Sequence, residues 1–348
     1  MRGVENIIVL TKSQNMVLLK HIIMLIGDVM SEYSSSDLQN LPPKAMQVAL
    51  DIVNGVYLGA SRNIRMINDV FCLIVENSDV DDVHAILRIL FDTADFFART
   101  RGKNTPVIGN SINQTLQGLS EMTFSSKASL LLEMEKRRSD FNEKSLVHKQ
   151  MIAELGANIL ANRRNILAFD YSSSMLAILE ELAKRKNLKH LLITESRDLD
   201  GGRPIVREIL NMGHTANYII DMSLLNHFQE IDAIIFGAET INIDGSCYNT
   251  VGSLIVSTLA YQFDKPIYIA SELAKLDTAT CNGQFKAIKN KNYKSLLDPN
   301  NEFSSDSIVF DSQDLDLVPA KHITSYITEF GIIPPSGIPT VAKHEKFI

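Results

Sequence analysis

The feature that most constrains this chain is a change of hydrophobic period near Asn162. From Met16 to about Leu160 the apolar residues recur three and four apart, as in MVLLKHIIMLIGDVM, AMQVALDIVNGVYL, VDDVHAILRILFDTADFFART and ASLLLEMEKRRSDFNEKSLVHKQMIAELGANIL. That spacing lines one face of an α-helix, and four such segments predict a helix bundle. The last segment carries the charge run from Glu133 to Lys149, so it reads as a long connecting helix with a solvated face.

After Asn162 the apolar residues come in short runs: NILAF at 165–169, HLLIT at 190–194, NYII at 217–220, AIIFGA at 233–238 and PIYIA at 266–270. Runs of this length without alternation suit strands covered on both faces. Between them SSMLAILEELAKRK, GRPIVREILNMG and TVGSLIVSTLAYQF return to the helical period. Strand, helix and strand in repetition imply a parallel sheet with right-handed crossovers. The expected fold is therefore α/β: a Rossmann-like parallel sheet with helices on both faces over residues 161–348, preceded by an all-α helical domain over residues 1–160.

Composition removes several functions. The 348 residues are 45% apolar and 22% charged, with a formal net charge of −7, which argues against affinity for nucleic-acid backbones or anionic membranes. Cys72, Cys247 and Cys281 are odd in number, far apart and in no metal-ligand spacing, so neither a disulfide framework nor a metal site is expected. A reducing, cytoplasmic location fits. The apolar run Met16 to Gly27 contains Lys20 and His21 and is about half the length of a membrane helix, and no cleavage pattern marks a signal peptide. No cofactor is indicated.

In sheets of this kind ligands bind beyond the carboxyl ends of the strands. The loops there are Asp170 to Ser174, Glu195 to Arg197, Asp221 to Ser223 and Glu239 to Gly252, all polar. Each has a structural reading beside the functional one: Asp170 or Ser172 can cap the following helix, and Asp221 can do the same. Arg197, directly after a buried strand and beside Glu195, offers a bidentate fork for a phosphate or a neighbouring carboxylate. The paired glycines Gly201 and Gly202 open a helix, where free N–H groups and the positive helix end favour an anion. In the bundle half, GASRNIR at 59–65 and RGKNTPVIGN at 101–110 place Gly59, Ala60, Arg62 and Arg101 within apolar sequence, where an arginine needs a helix-end or anionic partner. Cys247 reads as a buried, inert thiol.

Taken in order, these motifs resemble the superfamily of the regulatory alpha, beta and delta subunits of initiation factor 2B, methylthioribose-1-phosphate isomerase and ribose-1,5-bisphosphate isomerase. The carriers are TESR at 194–197 with Gly202, IID at 219–221, GAETINIDGSCYNTVGS at 237–253 and ITSYITEFGIIPPSGIP at 323–339, the last similar to the family's closing helix and tail. GASRNIR is similar to the G-A-G-R-I-A-R stretch of the isomerases. The resemblance implies a phosphorylated ligand, sugar phosphate or nucleotide, in a crevice between the two domains. Gly59, Ala60, Arg62, Arg101, Glu195, Arg197, Gly202, Asp221 and Asn249 would hold it, with Arg62, Arg101 and Arg197 on phosphate and Asn249 near the sugar. It also implies a homodimer or an assembly of dimers.

The departures bear on chemistry. The isomerases use a cysteine after the first strand and the aspartate of G-A-D, and this chain has Asp170 and Glu239 there; the family's lysine is replaced by Thr250. Three readings follow. One is a regulatory binding protein of the translation-initiation type, without the usual isomerase chemistry. The second is an aldose–ketose isomerase of a pentose phosphate in which Asp170 and Glu239 divide acid and base work, their proximity separating their proton affinities. The third is a structural paralogue without a ligand.

Overall fold

The computed structural model describes residues 38–54, 56, 60–102, 105–303 and 307–348. The expected helix after Met16 and the position of Gly59 lie outside the described residues. Two compact units are present. Among the described residues, one falls within Met1–Lys103 together with Ile112–Ser139, and the other within Asn104–Ser111 together with Asp140–Ile348.

The first unit is helical. Its helices are α1 (Pro43–Val53), α2 (Ala60–Asn77) and α3 (Val83–Phe97), joined by part of α4 (Pro106–Leu116) and the start of α5 (Lys127–Leu160). The three- and four-residue spacing read from the sequence buries one stripe on each: Ile67, Phe71 and Ile74 on α2, and Ile86, Leu90 and Phe97 on α3, all fully shielded from solvent. Each such side chain contributes roughly 1.5–3 kcal/mol on leaving water. Asp82 caps α3 by accepting the His84 N–H at 3.0 Å, which fixes where that helix begins. Arg137 closes the ragged end of α4, donating to the Thr115 and Gln117 carbonyl oxygens at 2.8 Å each.

The second unit is built on a seven-stranded sheet. The strands of the unit are β1 (Asn165–Ala168), β2 (His190–Thr194), β3 (Asn217–Ile219), β4 (Ala233–Phe236), β5 (Thr240–Asn242), β6 (Cys247–Thr250), β7 (Ile267–Ala270), β8 (Leu276–Asp277), β9 (Asn290–Asn292), β10 (Asp311–Gln313), β11 (Leu315–Val318), β12 (Ser325–Thr328) and β13 (Gly331–Ile333). The main sheet runs β13-β12-β7-β4-β1-β2-β3, parallel except for the β12–β13 edge pair. Its five expected runs all became strands, HLLIT over its full length and the other four trimmed by a residue or two at one end.

Alternate side chains of the buried strands serve the two faces. Ile166, Ala168, Ile193 and Ile235 pack with Ile178 and Leu182 of α6 (Ser173–Lys184), Ile205 and Ile209 of α7 (Gly202–Asn211), and Ile152 and Leu160 of α5. Leu167, Ile234, Phe236 and Ile269 pack on the other face with Val256 and Ala260 of α8 (Ser253–Gln262) and Ile338 and Ala342 of α9 (Ile338–His344). Helices thus cover both faces, as an apolar run without alternation requires.

Two expectations need correction. The stretch Glu239 to Gly252, read as a loop, is a β-hairpin: β5 pairs with β6 (Thr240 opposite Tyr248, Ile241 opposite Cys247) in a second, four-stranded sheet ordered β11-β6-β5-β8. Its strands are too short and too polar to show a period. Gly245 takes φ 78° in the hairpin turn, and a side chain there would run into the Pro335 carbonyl, so the turn needs glycine. The stretch 323–339 is chiefly the β12–β13 hairpin, followed by a 3-10 turn at Pro335–Gly337 and the start of α9.

Candidate functional site

Strand order reverses between β1, which leads outward to β2 and β3, and β4, which leads to β7 and β12. Such a reversal parts the loops at the carboxyl edge and leaves room for a ligand. Asp170 stands there, two residues after β1, with φ 56°. The left-handed region disfavours most side chains but suits Asp and Asn.

The Asp170 carboxylate is 6% exposed and fully engaged. One oxygen accepts the Ser196 hydroxyl at 3.0 Å and the other accepts the Thr250 hydroxyl at 2.6 Å. Burial raises its proton affinity above that of an ordinary carboxylate, opposed by hydrogen bonds from Thr250, the Tyr171 N–H and Ser196. Asp170 is not the helix cap: Ser172 caps α6, accepting the Met175 N–H at 3.3 Å.

The loop after β2 is braced from the loop after β3. Asp221 accepts the Ser196 N–H at 2.9 Å on one oxygen and the Arg197 N–H at 3.0 Å on the other. Ser196 is buried at φ 46°, a conformation held by the two hydrogen bonds that the Ser196 and Arg197 N–H groups donate to Asp221. We expect Asp221→Ala to cost about 1–3 kcal/mol, chiefly by leaving the part-buried Ser196 N–H without its partner, read as a lower urea midpoint; an unchanged midpoint contradicts the brace.

The expectation that Gly201 and Gly202 offer free N–H groups to an anion is not met. Gly201 donates to the Ser196 carbonyl at 3.2 Å and Gly202 to the Glu195 carbonyl at 3.1 Å. Gly202 is required for packing, because a Cβ there would overlap the Thr194 carbonyl oxygen. Asp198, with a side chain 5% exposed, accepts from Lys291 Nζ at 2.5 Å and holds the loop to the β9–β10 excursion. What remains open is the Arg197 guanidinium, which is exposed and has no hydrogen bond or ion pair among the described residues. Glu195 beside it is half-buried.

Glu239 follows β4. Its carboxylate accepts the Thr105 hydroxyl at 3.2 Å and lies in the field of Lys286, whose ammonium is made easier to deprotonate by burial and less so by Glu239, Asp314 and Asp277. No hydrogen bond joins Asp170 to Glu239 among the described residues, and the two share no partner. Asn249, buried on β6, donates to the Ser253 hydroxyl at 2.9 Å. The register sets Asp316 of β11 opposite Asn249, and Asp316 accepts the Gly252 and Leu254 N–H groups at 2.7 and 3.0 Å, so the start of α8 is already capped. Burial pushes the Cys247 thiol up to about 12, as expected for an inert core cysteine.

In the helical unit, Ala60 opens α2 and Arg62, two residues on, is exposed. Arg101 lies in a five-residue π-helical turn, Ala98–Gly102, with its Nε buried and without a hydrogen-bond partner. Sequence reasoning missed Ser196, Asp316, Thr105 and Lys286, and read Thr250 only as a missing lysine. A Ser or Thr hydroxyl that seats a carboxylate leaves no pattern in sequence, and Lys286 sits in a stretch without periodicity.

With this geometry in view, comparisons with known proteins are informative. A model described as the initiation factor 2 subunit family matches residues 59–335. Ribose 1,5-bisphosphate isomerase of Haloterrigena turkmenica is 21% identical over 312 residues, 87% of this chain and 94% of its own length. The crystal structure of 5-methylthioribose 1-phosphate isomerase from Pyrococcus horikoshii OT3 superposes with a TM-score of 0.72 at 18% identity, covering 91% of this chain and 99% of that one. A tetrameric eIF2B-beta2-delta2 complex from C. thermophilum gives a TM-score of 0.64 at 14% identity, covering 89% of this chain and 97% of that one. The structural likenesses establish a common fold. No helix among the described residues is long and apolar enough to cross a membrane.

Proposed function

Because the chain belongs to the initiation factor 2 subunit family, we propose that its α/β unit binds a small phosphorylated ligand, a sugar phosphate or nucleotide, at the carboxyl edge of the main sheet, and that it acts as a regulatory binding protein rather than as an isomerase. The observation that carries this reading is the state of Asp170. Isomerisation proceeds by proton transfer through acid and base groups, or by a hydride shift guided by polarised oxygens, and either route needs polar side chains free to reach the substrate. Both Asp170 oxygens are instead held by Ser196 and Thr250, and Glu239 has a separate set of partners. The exposed Arg197, seated on Asp221 through its own N–H, supports recognition of a phosphate by a fork of donors.

The test is a thermal-shift panel of ribose 1,5-bisphosphate, methylthioribose 1-phosphate and nucleoside monophosphates, run beside an assay for ketose. A ligand present at about a hundred times its Kd stabilises the folded state by about 2.7 kcal/mol. We expect a rise in Tm with at least one phosphate, its loss in Arg197→Ala, and no ketose. Ketose formation that disappears in Asp170→Asn would replace the regulatory reading with the isomerase one, and a flat panel would favour a structural paralogue. Assembly is proposed on the same footing: light scattering is expected to give a mass of two or more chains, and a monomer at micromolar concentration would contradict it.

A further inference from the structure

At the carboxyl ends of β7 and β12, three side chains converge that play no part in the site described above. β7 and β12 are paired with Ala270 opposite Ile327, and Glu272 and Glu329 each follow two residues later, so the register itself brings the carboxylates side by side. His148 of α5 completes the group. One donor atom from each of the three lies within 4.8 Å of the others.

The geometry points to a site for a divalent cation of the zinc or manganese class, held by His148, Glu272 and Glu329. Three observations carry it. His148 Nδ1 is 3.5 Å from Glu272 Oε2 and 3.9 Å from Glu329 Oε1. Both spacings exceed a good N–H···O bond, yet approach the edge between two ligands that each stand about 2.0–2.2 Å from one metal. Secondly, the Glu329 side chain is 2% exposed, a second carboxylate stands beside it, and among the described residues no Lys or Arg forms an ion pair with either. Glu272 is 27% exposed, and two carboxylates this close, one of them shut away from water, call for a positive charge between them. Thirdly, Glu329 is oriented by a further contact, since both its oxygens accept the Leu273 N–H at 3.1 Å, the kind of outer bond that fixes a metal-ligating carboxylate.

The donor set selects the ion. An imidazole nitrogen with two carboxylates suits zinc or manganese, whereas magnesium and calcium prefer oxygen alone. Three protein ligands leave at least one position for water. The inference is independent of the phosphorylated-ligand reading, because it uses other residues and a different measurement.

The experiment equilibrates the full chain with Zn2+ or Mg2+, dialyses it, and counts retained metal by mass spectrometry, with Co2+ as a spectroscopic stand-in. Wild type is expected to keep one Zn2+ per chain and no Mg2+, to melt higher with Zn2+, and to give visible Co2+ bands. His148→Gln and Glu272→Gln alter half-buried positions with little change of volume, and circular dichroism checks that they fold. Both are expected to lose the retained Zn2+, the Tm rise and the Co2+ bands. Zn2+ retention that is absent in wild type, or equal in wild type and both variants, overturns the site and leaves a shared proton as the link among the three groups. Retention of Mg2+ to the same extent overturns the assigned class.

Discussion

Replacing Gly202 by alanine is expected to destabilise the α/β unit by about 3 kcal/mol or more, at the upper end of single-substitution effects, and to remove the phosphate-induced Tm rise along with it. The added methyl would overlap the Thr194 carbonyl oxygen and come to 3.0 Å from Tyr218 Cε2. Neither neighbour can yield easily. Thr194 closes the register of β2 with β3, opposite Ile219, and a retreat of its carbonyl drags Glu195, whose N–H bonds to the Ile219 carbonyl at 2.8 Å. Asp221 sits two residues past Ile219 and holds Ser196 and Arg197, so the strain passes straight to the proposed phosphate contact. Gly109→Ala is the control. A Cβ there meets nothing within 4 Å, and alanine in a helix is worth about 0.5–1 kcal/mol over glycine. Urea midpoints for the pair therefore move in opposite directions, and a Gly202→Ala midpoint equal to that of wild type would refute the packing role.

The sheet was legible because its signal is repeated and redundant. NILAF, HLLIT, AIIFGA and PIYIA have the length and composition of strands buried on both faces, and the helical period between them leaves few topologies. The loops at the carboxyl edge were located for the same reason, since the end of an apolar run marks the end of a strand. What those loops do was less legible. Asp221 looked like a ligand contact or a cap and is a brace for Ser196 and Arg197; the paired glycines looked like an anion cradle, and their N–H groups bond within the loop. The β5–β6 hairpin was missed because its strands, Thr240–Asn242 and Cys247–Thr250, are short and polar and stand out from the loops around them by no apolar run. Asp316, which caps α8, is 62 residues from the Leu254 N–H it accepts, and local pattern carries no record of a contact so remote. His148, Glu272 and Glu329 were invisible for that reason too, since pairing of β7 with β12 is what brings them together.

Asp170→Asn is expected to raise stability at neutral pH and to change nothing, or little, in acid. The sign follows from the raised proton affinity of Asp170 in the folded state, which burial causes. Below the unfolded carboxyl value of about 3.8, both states are protonated and the full contribution of the group is present. As pH rises beyond that, the unfolded chain releases its proton while the folded chain retains it, so wild-type stability falls by at most about 1.4 kcal/mol per pH unit for one group. Once pH passes the raised folded value the loss is complete. Asparagine mimics the protonated acid: its carbonyl accepts one hydroxyl, its amide donates to the other, and Ser196 and Thr250 can rotate to suit. It also tolerates the left-handed backbone at this position. The difference between variant and wild type, plotted against pH, should therefore climb from near zero in acid and level off. A flat difference, or one that grows as pH falls, would show that Asp170 keeps its charge at no cost, against the raised proton affinity that its burial brings.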